Sequence, residues 1–227
     1  MQYNELVTKL NLDTDAFTTE KLKRLKHWCH ENISRDIQFT GNEAEVYENY
    51  QNLAAFYLDE VHPVIAKNIS EKHEELDGLT SIQFAASVGF DQWLLTQAPN
   101  NTIINTPDQY LMTPLHMAAL EGYYHTVKTL CHLEANPRAE NKNQQLPIFS
   151  ALILPIDGDE ELKTRKLKIF KYLQTKAPDA LKHQDNSGNT VLHLIATYGY
   201  PSLIEETLYL APKLFKIRNN HNHYPVH

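Results

Sequence analysis

Cysteine is almost missing from this chain: Cys29 and Cys131 are all that 227 residues hold. Both fall on apolar helix faces, which offers no disulfide framework and points to reduced, buried thiols in a cytosolic protein. Basic residues are also in short supply. Against 28 Asp and Glu there are 21 Lys and Arg, a net charge of −7, which argues against a general nucleic-acid surface and leaves a basic protein partner open. No apolar run approaches the length needed to cross a bilayer, so no membrane insertion is expected. Met1-Gln2-Tyr3-Asn4-Glu5 does not have the form of a signal peptide. A Gly-rich phosphate loop, a zinc-spacing cysteine set and a nucleophile elbow are all lacking.

What the chain does contain is repetition. Thr113-Pro114-Leu115-His116-Met117-Ala118-Ala119-Leu120-Glu121-Gly122 can be laid over Thr80-Ser81-Ile82-Gln83-Phe84-Ala85-Ala86-Ser87-Val88-Gly89. It also fits Leu146-Pro147-Ile148-Phe149-Ser150-Ala151 and Thr190-Val191-Leu192-His193-Leu194-Ile195-Ala196-Thr197-Tyr198-Gly199. The anchors step by 33, 33 and 44 residues, and then by 34 to Tyr224. A period near 33 is the mark of stacked units, none of which can bury its apolar face alone.

This pattern resembles the ankyrin repeat, over residues 75 to 227. The resemblance implies an all-α solenoid of helix-turn-helix repeats with projecting β-turn fingers. The repeats read as 75–107, 108–140, 141–184 and 185–218, with a fifth begun at 219–227. It also implies that His116, His193 and His227 tie neighbouring loops together and are structural.

Local chemistry agrees with that reading. Gly188 can take positive φ in the turn Asp185-Asn186-Ser187-Gly188-Asn189, Asn222 tolerates the same conformation, and Thr190 can cap the next helix. Ala85-Ala86, Ala118-Ala119, Ala151 and Ala196 let helices approach closely, and Gly89, Gly122 and Gly199 end each first helix. Second helices follow through Val127, Leu130, Cys131 and Leu133, or Leu167, Phe170 and Leu173. Ala98-Pro99, Ala177-Pro178 and Ala211-Pro212 close three units, because proline cannot continue a helix. Repeat three departs twice, with Gln144 where Gly is usual and Leu146 where Thr is usual, so a less regular finger is expected. It also carries 11 extra residues around Pro155-Ile156-Asp157-Gly158-Asp159-Glu160-Glu161, with a longer second helix from about 159 to 176. That insertion reads as a tolerated surface feature; the alternative is a binding element.

Residues 1–74 hold one glycine, Gly41. Asn42-Glu43-Ala44-Glu45 has capping-box form, and Val46, Tyr50, Leu53 and Tyr57 continue at helical spacing, predicting a helix over about 43–60. Pro63 should break it, with a further helical stretch toward Lys72, and other helices are expected from Thr18 or Thr19 through Cys29 and around Glu5 to Leu10. Together they read as an N-terminal helical bundle capping the open end of the stack. An F-box, which some bacterial ankyrin proteins carry, would open on Leu-Pro, and this segment does not. At the other end the fifth repeat stops four residues into its first helix, so the chain is expected to be a piece of a longer protein.

Candidate chemistry is sparse. His27 and His30 share a helix face beside Cys29, but nothing acidic and no second cysteine completes a site. His221, His223 and His227 look ligand-like, yet the first two belong to a finger and the third to the repeat core. No catalytic residue, metal or cofactor is expected, and the chain is read as a monomer and not an enzyme.

The resemblance implies instead a partner protein held in the concave groove formed by finger tips and first helices. The positions carried over are Tyr110, Met112, Leu120, Glu121, Tyr123, Asn143, Gln145, Ser187, Asn189, Thr197, Tyr198, Tyr200, His221 and His223. Aromatic residues and Met are enriched at interface cores, and several of the twelve tyrosines fall at these positions; the bland reading of Tyr123 and Tyr200 is packing at the helix-helix turn. Asn- and Lys-rich composition with diverged repeats is similar in style to ankyrin-repeat effectors secreted by intracellular bacteria. That likeness implies a host protein as partner and the host cytoplasm as the place of action. The competing reading makes these repeats the non-catalytic part of a larger effector enzyme whose catalytic domain follows His227. A third is an intracellular ankyrin scaffold that is never secreted.

Overall fold

The computed structural model describes residues 69–73, 78–97, 99–154 and 160–225. The helices expected within 1–68, the His27, Cys29 and His30 cluster, Ala98, the 155–159 part of the insertion and His227 lie outside the described residues.

A two-residue ladder opens the described part, β1 (Lys72–His73) pairing antiparallel with β2 (Leu79–Thr80), so residues 69–73 form a turn and a strand where the sequence predicts the end of a helical stretch. Helices follow in pairs. The first of each pair are α1 (Ser81–Val88), α4 (Pro114–Glu121), α6 (Pro147–Ser150) and α8 (Val191–Thr197). The second are α2 (Asp91–Gln97), α5 (Tyr124–His132), α7 (Glu160–Lys176) and α9 (Pro201–Leu210). A one-turn helix, α3 (Asn101–Ile104), stands between the first two units. First helices pack on first helices as one layer, and second helices pack outside them.

Each first helix starts and stops for local reasons. Thr80, Thr113 and Thr190 stand extended at the N-cap, and Pro114 sits at N1, where a missing N–H costs nothing. Gly89 and Gly122 end α1 and α4 in the left-handed conformation, at φ +83° and +84°. Ala85, Ala86, Ala118 and Ala119 are fully buried between α1, α4 and α6. The outer layer contributes Trp93, Phe170 and Leu173 to the core, and the first helices add Ile82 and Phe149. Burial of each such residue stabilises the fold by about 1.5–3 kcal/mol.

The Ala-Pro steps do more than end helices. Ala177 and Ala211 bond back to Leu173 O and Thr207 O, and the following proline opens a short 3-10 helix, Pro178–Lys182 or Pro212–Lys216. The long second helix of repeat three is present as α7, seventeen residues from Glu160 to Lys176. Inside it Lys166 is buried, and its ammonium donates to Leu120 O, Ala119 O and Ser150 O, so one side chain satisfies the free carbonyl ends of both α4 and α6.

Candidate protein-binding groove

Four turns project from the stack, and one device builds all of them. Asp108, Asn141, Asp185 and Asn219 each turn a side-chain oxygen inward. Each Oδ1 accepts the amides two and four residues on: Tyr110 and Met112, Asn143 and Gln145, Ser187 and Asn189, His221 and His223, all at 2.8–3.1 Å. Only an acceptor is needed, so Asp and Asn serve equally. The fourth residue of each turn is left-handed: Leu111 at φ +58°, Gln144 at +55°, Gly188 at +74° and Asn222 at +64°. Gly188 and Asn222 behave as their residue types dictate. The irregular finger expected at Gln144 is not found. The Asn141 side chain holds Gln144 in the conformation that Gly usually takes, and Gln144 N bonds Asn141 O at 2.8 Å.

Adjacent fingers are joined through main chain. Lys142 N donates to Tyr110 O, Asn186 N to Asn143 O and Asn220 N to Ser187 O, each at 2.9 Å. The 11-residue insertion leaves the middle rung unchanged, because it enters between helices and not at the finger.

Beneath the fingers, His116 and His193 lock each turn to the next unit. Thr113 N donates to His116 Nδ1 at 3.2 Å, and His116 Nε2 lies 3.0 Å from Gln145 O. An amide only donates and a carbonyl only accepts, so the ring is neutral with its proton on Nε2. Burial agrees, lowering the His116 pKa to about 4. His193 repeats the arrangement between Thr190 N and His223 O, and its pKa is also lowered by burial. In the first unit the Gln83 side chain makes the same two bonds without a titrating group: its Oε1 accepts from Thr80 N and its Nε2 donates to Thr106 O. Repeat three replaces the Thr and His pair by Leu146 and Phe149, both buried, and the His183 ring packs edge-on against Phe149 while bonding Gln144 O at 2.7 Å.

The family model described as "Ankyrin repeats (3 copies)" matches residues 46–141. A relative named Poly [ADP-ribose] polymerase tankyrase, from Caenorhabditis elegans, is 31% identical over 124 residues. That stretch is 52% of this chain and 5% of the relative. The fold is an ankyrin-repeat solenoid. The family match begins at residue 46, upstream of the boundary read at 75, and the ankyrin finger geometry continues past 141 to the turn at Asn219. Ankyrin repeats are generally protein-protein interaction modules. These matches bear on the repeats and carry nothing about a bacterial effector origin.

The ankyrin groove sorts the expected contact residues into three groups. Tyr110 is 59% exposed, with Lys142 Nζ 5.8 Å from its ring centroid, and Asn143, Thr197, His221 and His223 are exposed as well. Met112, Leu120, Glu121, Ser187 and Tyr198 are half-buried, Tyr198 packing against the core. Gln145 and Asn189 spend their side chains within the stack, Gln145 Nε2 on Asp185 Oδ2 at 3.0 Å and Asn189 Oδ1 accepting from Asn219 at 2.8 Å.

Tyr123 and Tyr200 are corrections. At 5% and 1% exposed they belong to the core, not to a contact surface. The Tyr123 ring fills the space over Gly89, where a Cβ would lie only 3.0 Å from it. Each tyrosine sits at the entrance of a second helix, and the turn there folds it under. Leu111 was missed. It is 45% exposed, an apolar side chain at a finger tip in a conformation that β-carbon sterics disfavour. The signal was available, since Leu111 aligns with Gln144, Gly188 and Asn222. Beside the last finger, Ala196, Thr197 and His223 border a hollow of about 460 Å³.

Among the described residues no group of three or more His, Cys, Asp or Glu is placed to hold a metal ion. Within the same residues no helix is long and apolar enough to cross a membrane. Cys131 is half-buried, and burial pushes its thiol up to about 11.

Proposed function

We propose that this chain is a protein-binding ankyrin solenoid whose partner lies along the finger tips and first helices. The observation that carries the reading is the tip of the first described finger, where Tyr110 and Leu111 stand exposed although the fold needs neither side chain. Exposed aromatic and aliphatic groups on a rigid backbone are the usual anchors of an interface. Apart from Lys142, whose ammonium lies by the Tyr110 ring, the rest of the tips are amides, a hydroxyl and imidazoles, and the carboxylates of Asp108 and Asp185 are turned into their own loops. Such a surface suits an extended, mostly uncharged polypeptide, bound through hydrogen bonds and one apolar anchor, with affinity that survives added salt.

In a second layer of the proposal, on composition and repeat style alone, the partner is a host protein and the chain a secreted bacterial effector. The alternative, repeats that position a catalytic domain within a larger enzyme, draws support from a relative named as a polymerase of which the match covers 5%.

The test is affinity capture from eukaryotic and bacterial lysates with residues 1–227, beside the double variant Tyr110→Asp, Leu111→Asp. Both positions are exposed, so the variant should keep its stability within about 0.5 kcal/mol. Substitutions at Leu120 or Tyr198 would disturb half-buried positions as well. A protein held by the wild type and lost by the folded variant supports the groove. Identical retention by both would sink it, and capture from bacterial lysate alone would remove the host assignment.

A further inference from the structure

On the layer away from the fingers, the second helices do not close completely. α5 packs on α2 and α7 on α5, but α7 and α9 meet less closely. Between them runs a groove of about 680 Å³, walled by Gln174 and Thr175 of α7 and by Leu210 of α9, with Leu181 and Ala211 at its base. It shares Lys182, Leu210 and Ala211 with a second hollow of about 370 Å³ that reaches Lys213, Leu214 and Ile217. Leu210 is 51% exposed, and Tyr209 and Phe215 are exposed nearby. An apolar strip of this kind, rimmed by polar groups, marks an interaction site.

The charges of the rim have one sign left over. Both Arg138 Nε and Nη2 donate to the Asp179 carboxylate, at 2.9 and 2.5 Å, and Lys171 holds Glu206 at 2.6 Å across the groove. Its acidic groups are therefore neutralised. Lys182 and Lys213 are exposed and have no ionic partner among the described residues. The surplus is regional: residues 160–227 carry ten Lys and Arg against six Asp and Glu, while the preceding 159 residues carry eleven against twenty-two.

We infer that this outer groove is a second docking site, and that it takes an acidic amphipathic helix of a partner protein. Leucine or phenylalanine side chains of that helix pack on the exposed Leu210, above the buried floor of Leu181 and Leu214, and its carboxylates meet Lys182 and Lys213. α7 contributes Lys171, Gln174 and Thr175, neighbours on one face of its C-terminal part, and the groove continues past Lys182 and Leu210 into the second hollow as far as Ile217, an open trough that a helix can follow. The site stands apart from the finger groove and does not depend on it.

The test is fluorescence anisotropy with labelled synthetic peptides on the full 227-residue chain. One peptide repeats Leu-Glu-Glu-Leu at helical spacing; a second has lysine for glutamate; a third has serine for leucine. The proteins are the wild type, the double variant Lys182→Glu, Lys213→Glu, and Tyr110→Asp as a control on the opposite face. The first peptide should bind the wild type and Tyr110→Asp alike. Its binding should fall by about tenfold or more with charge reversal, and should weaken with salt. Equal binding of the first peptide to the reversed variant, or of either other peptide to the wild type, overturns the assignment. Sedimentation equilibrium runs in parallel. Self-association of the wild type that charge reversal abolishes would make the occupant a second copy and also overturn it. Circular dichroism and melting check the reversed variant, and Lys182→Gln, Lys213→Gln replaces it if it fails to fold, with the same direction of change expected.

Discussion

Replacing His116 by glutamine should remove a pH dependence while leaving the fold intact, because the first unit already shows Gln83 in the same role. The neutral ring accepts from Thr113 N and donates to Gln145 O, and its pKa is lowered from 6.5 to about 4. The unfolded chain therefore binds a proton that the native state refuses between those two values. By linkage the stability from this site is complete above pH 6.5 and is lost progressively as pH falls toward 4. At pH 5 the loss amounts to about 2 kcal/mol, and over the whole interval to about 3 kcal/mol. His116→Gln should match the wild type within about 1 kcal/mol at pH 7 and exceed it by about 1–2 kcal/mol at pH 5. Urea denaturation of both proteins from pH 4.5 to 7.5 measures the difference, and the pairing cancels the other titrating groups. Parallel stability curves, offset by a constant, would refute the neutral-ring account. So would an NMR tautomer with its proton on Nδ1.

Three further outcomes are expected from thermal and urea unfolding. Gly188→Ala should cost about 2 kcal/mol or more, because its Cβ would meet Asn220 N at 2.9 Å as well as positive φ, whereas Gly199→Ala, with nothing within 4 Å, should cost only about 1 kcal/mol; equal costs would mean that the neighbouring finger yields freely. Leu111→Gly and Gln144→Gly should each stabilise by about 0.5–1 kcal/mol through relief of left-handed strain, and a fall in melting temperature would contradict this. Tyr200→Phe should leave stability unchanged or slightly raised, since the Tyr200 hydroxyl has no hydrogen-bond partner among the described residues; a loss above about 1 kcal/mol would reveal a partner for it.

The repeat frame was legible because a helix start, a tight turn and a close helix contact each demand a residue type. Thr113-Pro114, Gly122 and Ala118-Ala119 meet those demands in order, and Gly188 and Asn222 mark the turn tips. Less was legible about exposure. Tyr123 and Tyr200 share the composition of interface residues, but whether a tyrosine at a turn faces in or out depends on what the next unit places over it. The regular finger at Gln144 escaped for a similar reason. Its conformation is set by the side chain of Asn141, three residues earlier, and not by its own preference. The outer groove could not be read at all, since it arises from the spacing of α7 and α9, which residues 177–200 separate in the chain. Its excess of lysine is visible only when the charges are counted by region.

Every pair of adjacent fingers shares a main-chain rung: Tyr110 O, Asn143 O and Ser187 O each accept the amide of the next turn. None of those bonds consults the side chain at the tip. Spelling and binding are therefore separate in this protein, much as letters are separate from the spine of a book. Tip residues whose side chains bond no neighbouring finger, Tyr110 and Leu111 first among them, can be rewritten one turn at a time, by drift or by an engineer, without renegotiating the stack that displays them.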